Sequence, residues 1–264
     1  MENKKIKLTL IVLISILLSI AIYILVADPL ALFVIKDDEP KVSAATTPQV
    51  IDDDEALITK LWDENSKISD DYIGTITFES GLINLPFVQG DNNDTYYRKD
   101  WISKEYSEEG SVYLDSSNSL DDQNLILIGH YVYPTIDPSG TRMFTPLAQL
   151  IDEENYEENK YVKLYLHNEL RRYEIAYVYY CELIEDEYKG EKFFYTDNGF
   201  EFYYPNYTEE QFNTYLSTIK EKSFYQTGVD LTFADKLLTL QTCVLNHPEL
   251  REIVILKEIN RTLY

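Results

Sequence analysis

The sequence has few of the residues on which metal and cofactor sites are usually built. Its 264 residues include two cysteines, three histidines, nine glycines and nine prolines. The cysteines and histidines do not cluster and no glycine-rich phosphate loop is present, so structural zinc and nucleotide sites have no support. We find no internal repeat. We therefore expect chemistry that needs no cofactor.

Basic residues are also scarce. There are 23 lysines and arginines against 46 acidic residues, which gives a formal net charge of −23. Nucleic acid is excluded as a partner because binding to phosphates requires a basic face. Such acidity is typical of a solvated surface, and recruitment of a cationic substrate or wall component is the alternative. The acidic clusters 52–54 and 152–154 lack the alternating ligands of a calcium loop.

The N-terminal segment has the pattern of a membrane anchor. Three lysines precede Leu8 to Ala27, twenty mostly apolar residues that are enough for a spanning helix. Acidic residues follow, so the positive-inside rule places the N-terminus in the cytoplasm and the remainder outside. A cleaved signal peptide is the alternative, but the run is long and lacks a clear cleavage site. We expect an anchor over 1–35, a linker over 36–54 and one catalytic domain over 55–264.

The domain is predicted to be mainly β, because short apolar runs alternate with turn residues. Eight such runs favour a closed barrel or a sandwich, and the pattern alone does not choose between them. The predicted strands are Ile73–Phe78, Leu85–Gln89, Ser111–Leu114, Leu125–His130, Tyr161–Leu166, Arg172–Leu183, Lys236–Cys243 and Arg251–Ile259.

Two helices are expected beside the strands. Asp53 to Lys67 has apolar residues at helical spacing, namely Ala56, Leu57, Leu61 and Trp62. Glu209 to Lys222 follows a capping box made by Thr208 and Gln211, and one face carries Phe212, Tyr215, Leu216 and Ile219. Both helices are predicted to pack on the β domain.

Three residues at predicted strand ends form a candidate nucleophilic site. Cys243 ends one apolar run, His130 ends another, and Arg251 opens a third. A thiolate attacks carbonyl carbon, an imidazole can hold and return a proton, and a guanidinium can stabilise an oxyanion. Taken singly, each residue is more simply structural, so the case depends on their occurring together.

The pattern of these residues resembles the sortase family. Thr239-Leu240-Gln241-Thr242-Cys243 is similar to the TLxTC signature, and Gly129-His130 and Arg251 follow the family order of histidine, cysteine and arginine. Further segments resemble class B sortases in particular. These are the segment Leu85–Asn92, the pair Tyr96-Tyr97, and Met143-Phe144 with Leu147. The resemblance covers roughly residue 72 to the C-terminus. It implies the eight-stranded sortase barrel, with an N-terminal transmembrane helix before it.

The chain departs from class B sortases in two places. Tyr131 follows the histidine where asparagine is usual, and the stretch from Tyr131 to Arg142 is longer than usual. Both changes lie beside the expected active site, so they bear on substrate details more than on reaction type. Tyr131, Leu240, Thr242 and His247 are candidate substrate contacts, although an exposed loop position is the simpler reading of His247.

The resemblance implies a cysteine transpeptidase in the membrane of a Gram-positive cell, with its catalytic domain outside. Cys243 would cleave a C-terminal sorting motif in a secreted protein through a thioester, with His130 protonating the leaving amine and Arg251 holding the oxyanion. The acceptor amine would come from a peptidoglycan precursor or from a lysine of a pilin. A thiol endopeptidase without transfer and a non-catalytic, tethered β-barrel binding protein are the alternatives.

The remaining cysteine and one further histidine are given structural interpretations. Cys181 ends a predicted strand, and a buried small hydrophobe is favoured over a regulatory disulfide with Cys243. His167 precedes Asn168-Glu169, a predicted hairpin turn.

Overall fold

The computed structural model describes residues 53–182, 196–197, 200–201 and 204–264. The predicted anchor, Leu8 to Ala27, and all but the last two residues of the predicted linker lie outside the described residues. Within the described ranges, no helix combines the length and the apolarity that crossing a membrane requires.

Eight strands close into a barrel, which confirms the predicted barrel fold. The barrel strands are β1 Tyr72–Phe78, β2 Asn84–Val88, β3 Tyr113–Leu114, β4 Asn124–Ile128, β5 Tyr161–Leu166, β6 Glu169–Glu182, β9 Leu237–Val244 and β10 His247–Leu263. Going around the barrel, the strand order is β1-β2-β3-β4-β9-β10-β6-β5. A separate two-stranded hairpin consists of β7 Thr196–Asp197 and β8 Phe200–Glu201.

The two longest strands extend beyond their predicted bounds. β6 begins three residues before the predicted Arg172, and β10 includes His247, which was expected in a loop. The two strands pair antiparallel with each other from Leu250 opposite Glu182 to Leu263 opposite Glu169. Both strands have polar residues near their ends, so the apolar pattern of the sequence does not predict their full length. The backbone hydrogen bonds of a ladder form there all the same, because they do not require apolar side chains.

In the part of the chain that the structure describes, four α-helices and two 3-10 helices accompany the barrel. The α-helices are α1 Asp53–Asn65, α2 Asp94–Tyr97, α3 Tyr156–Asn159 and α4 Glu209–Lys222, and the 3-10 helices are Thr145–Ile151 and Glu153–Asn155. In α4 the capping box is formed, with Thr208 and Gln211 each accepting from the other's backbone N–H. The buried face of α4, made of Phe212, Tyr215 and Ile219, packs on the outside of the barrel.

The first helix packs on the barrel through a face that shares Leu61 and Trp62 with the predicted one but not Ala56 or Leu57. Ile58 is buried, with Leu61 packing beside it, whereas Leu57 is 38% exposed. At the start of α1, Asp54 forms ion pairs with Arg172 at 2.7 Å and Lys163 at 3.5 Å. These long-range pairs select the face that points inward, and sequence periodicity carries no information about them.

Side chains alternate between the barrel interior and the face covered by α4. Leu238 and Leu240 in β9 belong to the interior cluster, whereas Leu237 packs with α4. By the same two-residue period, Cys243 shares the outer face with Leu237, and Thr242 shares the interior face with Leu240. The side chains of the cysteine and the threonine of the signature therefore point to opposite faces of the sheet.

Candidate active site

His130 and Cys243 are brought together by two parallel strands. In β4 and β9, Ile128 lies opposite Gln241, so His130 and Cys243 each lie two residues beyond a matched pair. The backbone N–H of Gly129 donates to the carbonyl of Gln241 at 3.1 Å, which continues the pairing past the end of β4. Neighbouring strands lie about 4.8 Å apart, so the two side chains leave the sheet side by side.

Gly129 is required at its position because a side chain would collide there. A Cβ at this residue would lie 2.7 Å from the ring of Phe144, which is fully buried in the core. Phe144 also donates its backbone N–H to the carbonyl of His130 at 3.1 Å. The Gly-His pair and the Phe144 site noted in the sequence are thus one packing unit that fixes the histidine backbone.

Arg251 lies beside Cys243 in the β9–β10 hairpin. The two residues face each other in the antiparallel ladder, and the hairpin turns at Leu245 and Asn246, where Asn246 has a φ of 62°. Nη1 of Arg251 donates to the carbonyl oxygens of Pro248 and Leu250, both at 2.8 Å. These hydrogen bonds hold the guanidinium at the same end of the barrel as the cysteine.

The environment of His130 favours a neutral imidazole. Its Nε2 lies 2.7 Å from the carbonyl oxygen of Tyr97, whose ring packs against the imidazole at 4.6 Å. Burial lowers the pKa of His130 to about 4, and the charges of Arg98 and Arg251 act in the same direction, while the Tyr97 hydrogen bond opposes them. A carbonyl oxygen only accepts, so Nε2 carries a proton and Nδ1 is the basic nitrogen of the neutral ring.

All three candidate residues open onto one cleft of about 460 Å³ at the end of the barrel. Its lining includes His130, Cys243 and Arg251, together with Tyr131 immediately after the histidine. A shared cleft with a thiol, a neutral imidazole and a guanidinium provides a nucleophile, a proton carrier and an oxyanion donor. The arrangement therefore suits acyl transfer from a carbonyl substrate.

The four candidate substrate contacts are placed very differently. Tyr131 lines the cleft. Leu240 is fully buried in the core and offers no surface to a substrate. Thr242 is only 2% exposed, with its side chain on the interior face, but it lines a smaller pocket beside His130 and Cys243. His247 is exposed at the start of β10, where its Nδ1 lies 3.0 Å from Glu249. The two-residue period of a strand could have predicted from the sequence that the side chains of Leu240 and Thr242 point to the face opposite that of Cys243.

Cys181 lies on the far side of Arg251 from Cys243. Arg251 is opposite Cys243 in β9 and also opposite Cys181 in β6, so one strand separates the two cysteines. Two strand spacings amount to about 9.6 Å between Cα atoms, whereas a disulfide needs less than about 7 Å. Cys181 is 1% exposed, and burial raises its pKa to about 12. The buried-thiol interpretation is confirmed, and this geometry excludes a disulfide between the two.

Sequence reasoning missed two features of the site. The Tyr97 carbonyl that holds His130 has no signature, because every residue carries a carbonyl. The other is Glu252, next to Arg251 and 1% exposed on the interior face, whose pKa burial raises to about 8. Its Oε1 and the hydroxyl of Thr242, its cross-strand neighbour, have no hydrogen-bond partner in the described part of the chain. The sequence did offer a signal for Glu252, because it is a glutamate inside an otherwise apolar predicted strand.

The fold and this cleft have the arrangement expected of a sortase, and comparisons with known proteins agree. The structure of Clostridium perfringens sortase B is 31% identical, with a TM-score of 0.60 over 75% of this chain and 99% of that chain. Sortase B of Staphylococcus aureus is 27% identical over 180 residues, and that of Listeria monocytogenes is 26% identical over 187 residues. No protein-family model matches the chain.

The chain belongs to the class B sortases. Each of the two curated relatives is matched over 67% of this chain, and the chain spans 65% of the Staphylococcus protein and 64% of the Listeria protein.

Proposed function

We propose that the chain is a membrane-anchored cysteine transpeptidase that cleaves a sorting motif in secreted proteins and transfers them to an amine of the cell wall. The observation that carries this proposal is the single cleft shared by His130, Cys243 and Arg251. Membership of the class B sortases supports the same reaction type.

The first half of the reaction forms a thioester. Neutral His130 accepts the proton of the Cys243 thiol, and the thiolate attacks the scissile carbonyl carbon. Arg251 stabilises the negative oxygen of the tetrahedral intermediate. When the C–N bond breaks, His130 returns the proton to the departing amine, so that the acyl group remains on sulfur.

The second half transfers the acyl group. An acceptor amine attacks the thioester carbonyl, the C–S bond breaks, and the amine's proton passes through His130 to the thiolate. Water attacking in place of the amine would give hydrolysis. A peptidoglycan precursor or a pilin lysine is the expected acceptor, since both supply a primary amine.

The test is mass spectrometry of the purified full chain with a library of sorting-motif peptides and triglycine. We expect cleaved peptide joined to triglycine, and none with Cys243→Ala. Cys181→Ala is the matched control, because it removes the other thiol without altering the cleft. Cleavage without joining would favour the endopeptidase alternative, and identical products from Cys243→Ala would contradict the nucleophile assignment.

The membrane anchor is part of the proposal. Its support is the lysine-flanked apolar segment Leu8 to Ala27, which would hold the domain outside the membrane through the linker. Fractionation of expressing cells tests it: the full chain should remain with membranes after alkaline extraction, whereas a chain with several of these residues replaced by aspartate should be released.

A further inference from the structure

One side of the cleft is built from two chain segments that flank His130. The first is 97–110, which supplies the carbonyl that holds the histidine, and the second is 131–142, which directly follows it. Arg142 in the second segment forms an ion pair with Glu109 in the first at 2.5 Å. We call these two segments the histidine-side wall. The ion pair links the two segments to each other.

The second segment is held in shape by its own hydrogen bonds. The Asp137 carboxylate, 6% exposed, accepts from the backbone N–H groups of Thr141 at 2.8 Å and Arg142 at 2.9 Å. The hydroxyl of Ser139 donates to the same carboxylate, and these hydrogen bonds lower the pKa of Asp137. At the other end, Val132 N–H donates to the Thr145 hydroxyl at 2.8 Å. The wall is therefore preformed and does not depend on a ligand for its shape.

The wall presents apolar side chains to the cleft. Tyr106 is 74% exposed, Tyr133 47% and Ile136 44%, and all three line the cleft. Single exposed apolar side chains are ordinary on a protein surface, but three on one wall of a concave site indicate a binding surface. Their exposed area is available to a substrate side chain.

The position of the wall decides which part of the substrate meets it. His130 gives its proton to the departing amine, so the peptide that follows the scissile bond must leave along the histidine side. The acceptor amine enters at the same place, because its attack is the chemical reverse of that departure. Besides Cys243 and Arg251, the β9–β10 hairpin contributes only Val244 and Pro248 to the described lining. The histidine-side wall is larger and also contributes the charged residues Arg98, Glu108 and Glu109.

We propose that the histidine-side wall selects substrates with an apolar side chain immediately after the scissile bond, using Tyr106, Tyr133 and Ile136. This inference rests on the proposed transpeptidase function. It assigns a specificity role to the segment 131–142, which the sequence predicts to differ from that of other class B sortases.

The test compares peptides that differ only in the residue after the scissile bond, glycine or leucine. We expect kcat/KM to be higher for leucine in the wild-type protein, and Ile136→Ser to reduce the leucine-to-glycine ratio about three- to tenfold, because apolar contact area is lost. Tyr133→Ser should act in the same direction. Ile259→Ser is the matched control, since Ile259 is 48% exposed and lies eight residues beyond Arg251 on the same strand.

Each contrary result has a distinct meaning. Cleavage with no preference for leucine, or an equal loss of preference in Ile259→Ser, would overturn the inference and leave the proposed function standing. Failure of the wild-type protein to cleave any peptide of the library would overturn the proposed function, and this inference with it.

Discussion

The two cysteines lie on the same face of one sheet, on opposite sides of Arg251, and differ in nearly every property that matters for reactivity. Cys243 lines the cleft at the end of β9, whereas Cys181 is 1% exposed and its pKa is raised to about 12 by burial. Both have the same cation opposite them in the ladder. Proximity to a guanidinium is therefore not sufficient for a nucleophile, which also needs access to substrate and a proton carrier.

Alkylation should separate the two thiols most strongly. At pH 7.5 a thiol of pKa about 12 is ionised about three thousandfold less than an ordinary thiol of pKa about 8.5, and burial also blocks the reagent. We expect iodoacetamide to modify Cys243 in the native protein and Cys181 only after unfolding, as measured by peptide mass spectrometry. Comparable modification of both cysteines in the native protein would contradict the expected difference in their reactivity.

Replacing the shared cation should affect only the Cys243 side. Arg251→Lys keeps a positive charge but loses the planar set of donors, and we expect kcat to fall about a hundredfold, as for loss of an oxyanion donor. The alkylation rate of Cys243 should change only a few-fold, because the thiol itself remains. Arg261→Lys, an exposed arginine on the same strand, is the control for general effects on β10. Equal losses in the two variants would argue against a role in the reaction.

The smallest effect concerns stability on the opposite face of β10, at Glu252. Burial raises its pKa from 4.5 to about 8, so between these values the native state holds a proton that the unfolded state has lost. Stability from this group is complete below pH 4.5 and declines as the pH rises toward 8. From pH 5 to pH 7 we expect the wild type to lose about 2–3 kcal/mol relative to Glu252→Gln.

Urea unfolding at the two pH values measures this difference. Glu221→Gln, at an exposed position of α4, is the control and should leave the pH dependence of wild type unchanged. If Glu252→Gln and wild type show the same pH dependence, Glu252 is not a buried neutral acid.

Regular elements were predicted best, because local periodicity reports them. β5 and α4 have the predicted bounds, and the capping box of α4 formed as expected. Ile58 on the inward face of α1 and the full length of β10 were missed, since each depends on contacts distant in the sequence, such as Asp54 with Arg172. The hairpin turn predicted at Asn168-Glu169 lies one residue earlier, at His167 and Asn168, with Asn168 at a φ of 59° and Glu169 opening β6.

The candidate site was predicted in chemical type more fully than in arrangement. The motif residues named the thiol, imidazole and guanidinium, but Leu240 and Thr242 from the same motif proved to be interior residues. A sequence motif gives the order of residues along the chain, whereas access to a cleft depends on the face of the strand to which each side chain points.

The sequence by itself determined the order of the eight barrel strands and the two long helices, the acidic surface, and the three reactive residue types, because these follow from local pattern and side-chain chemistry. Only the tertiary structure decided that parallel pairing of β4 with β9 joins His130 to Cys243, that burial keeps the imidazole neutral while the Tyr97 carbonyl orients it, and that β10 separates the two cysteines. Those properties depend on distance, solvent exclusion and direction, which arise only when residues far apart in the chain pack together.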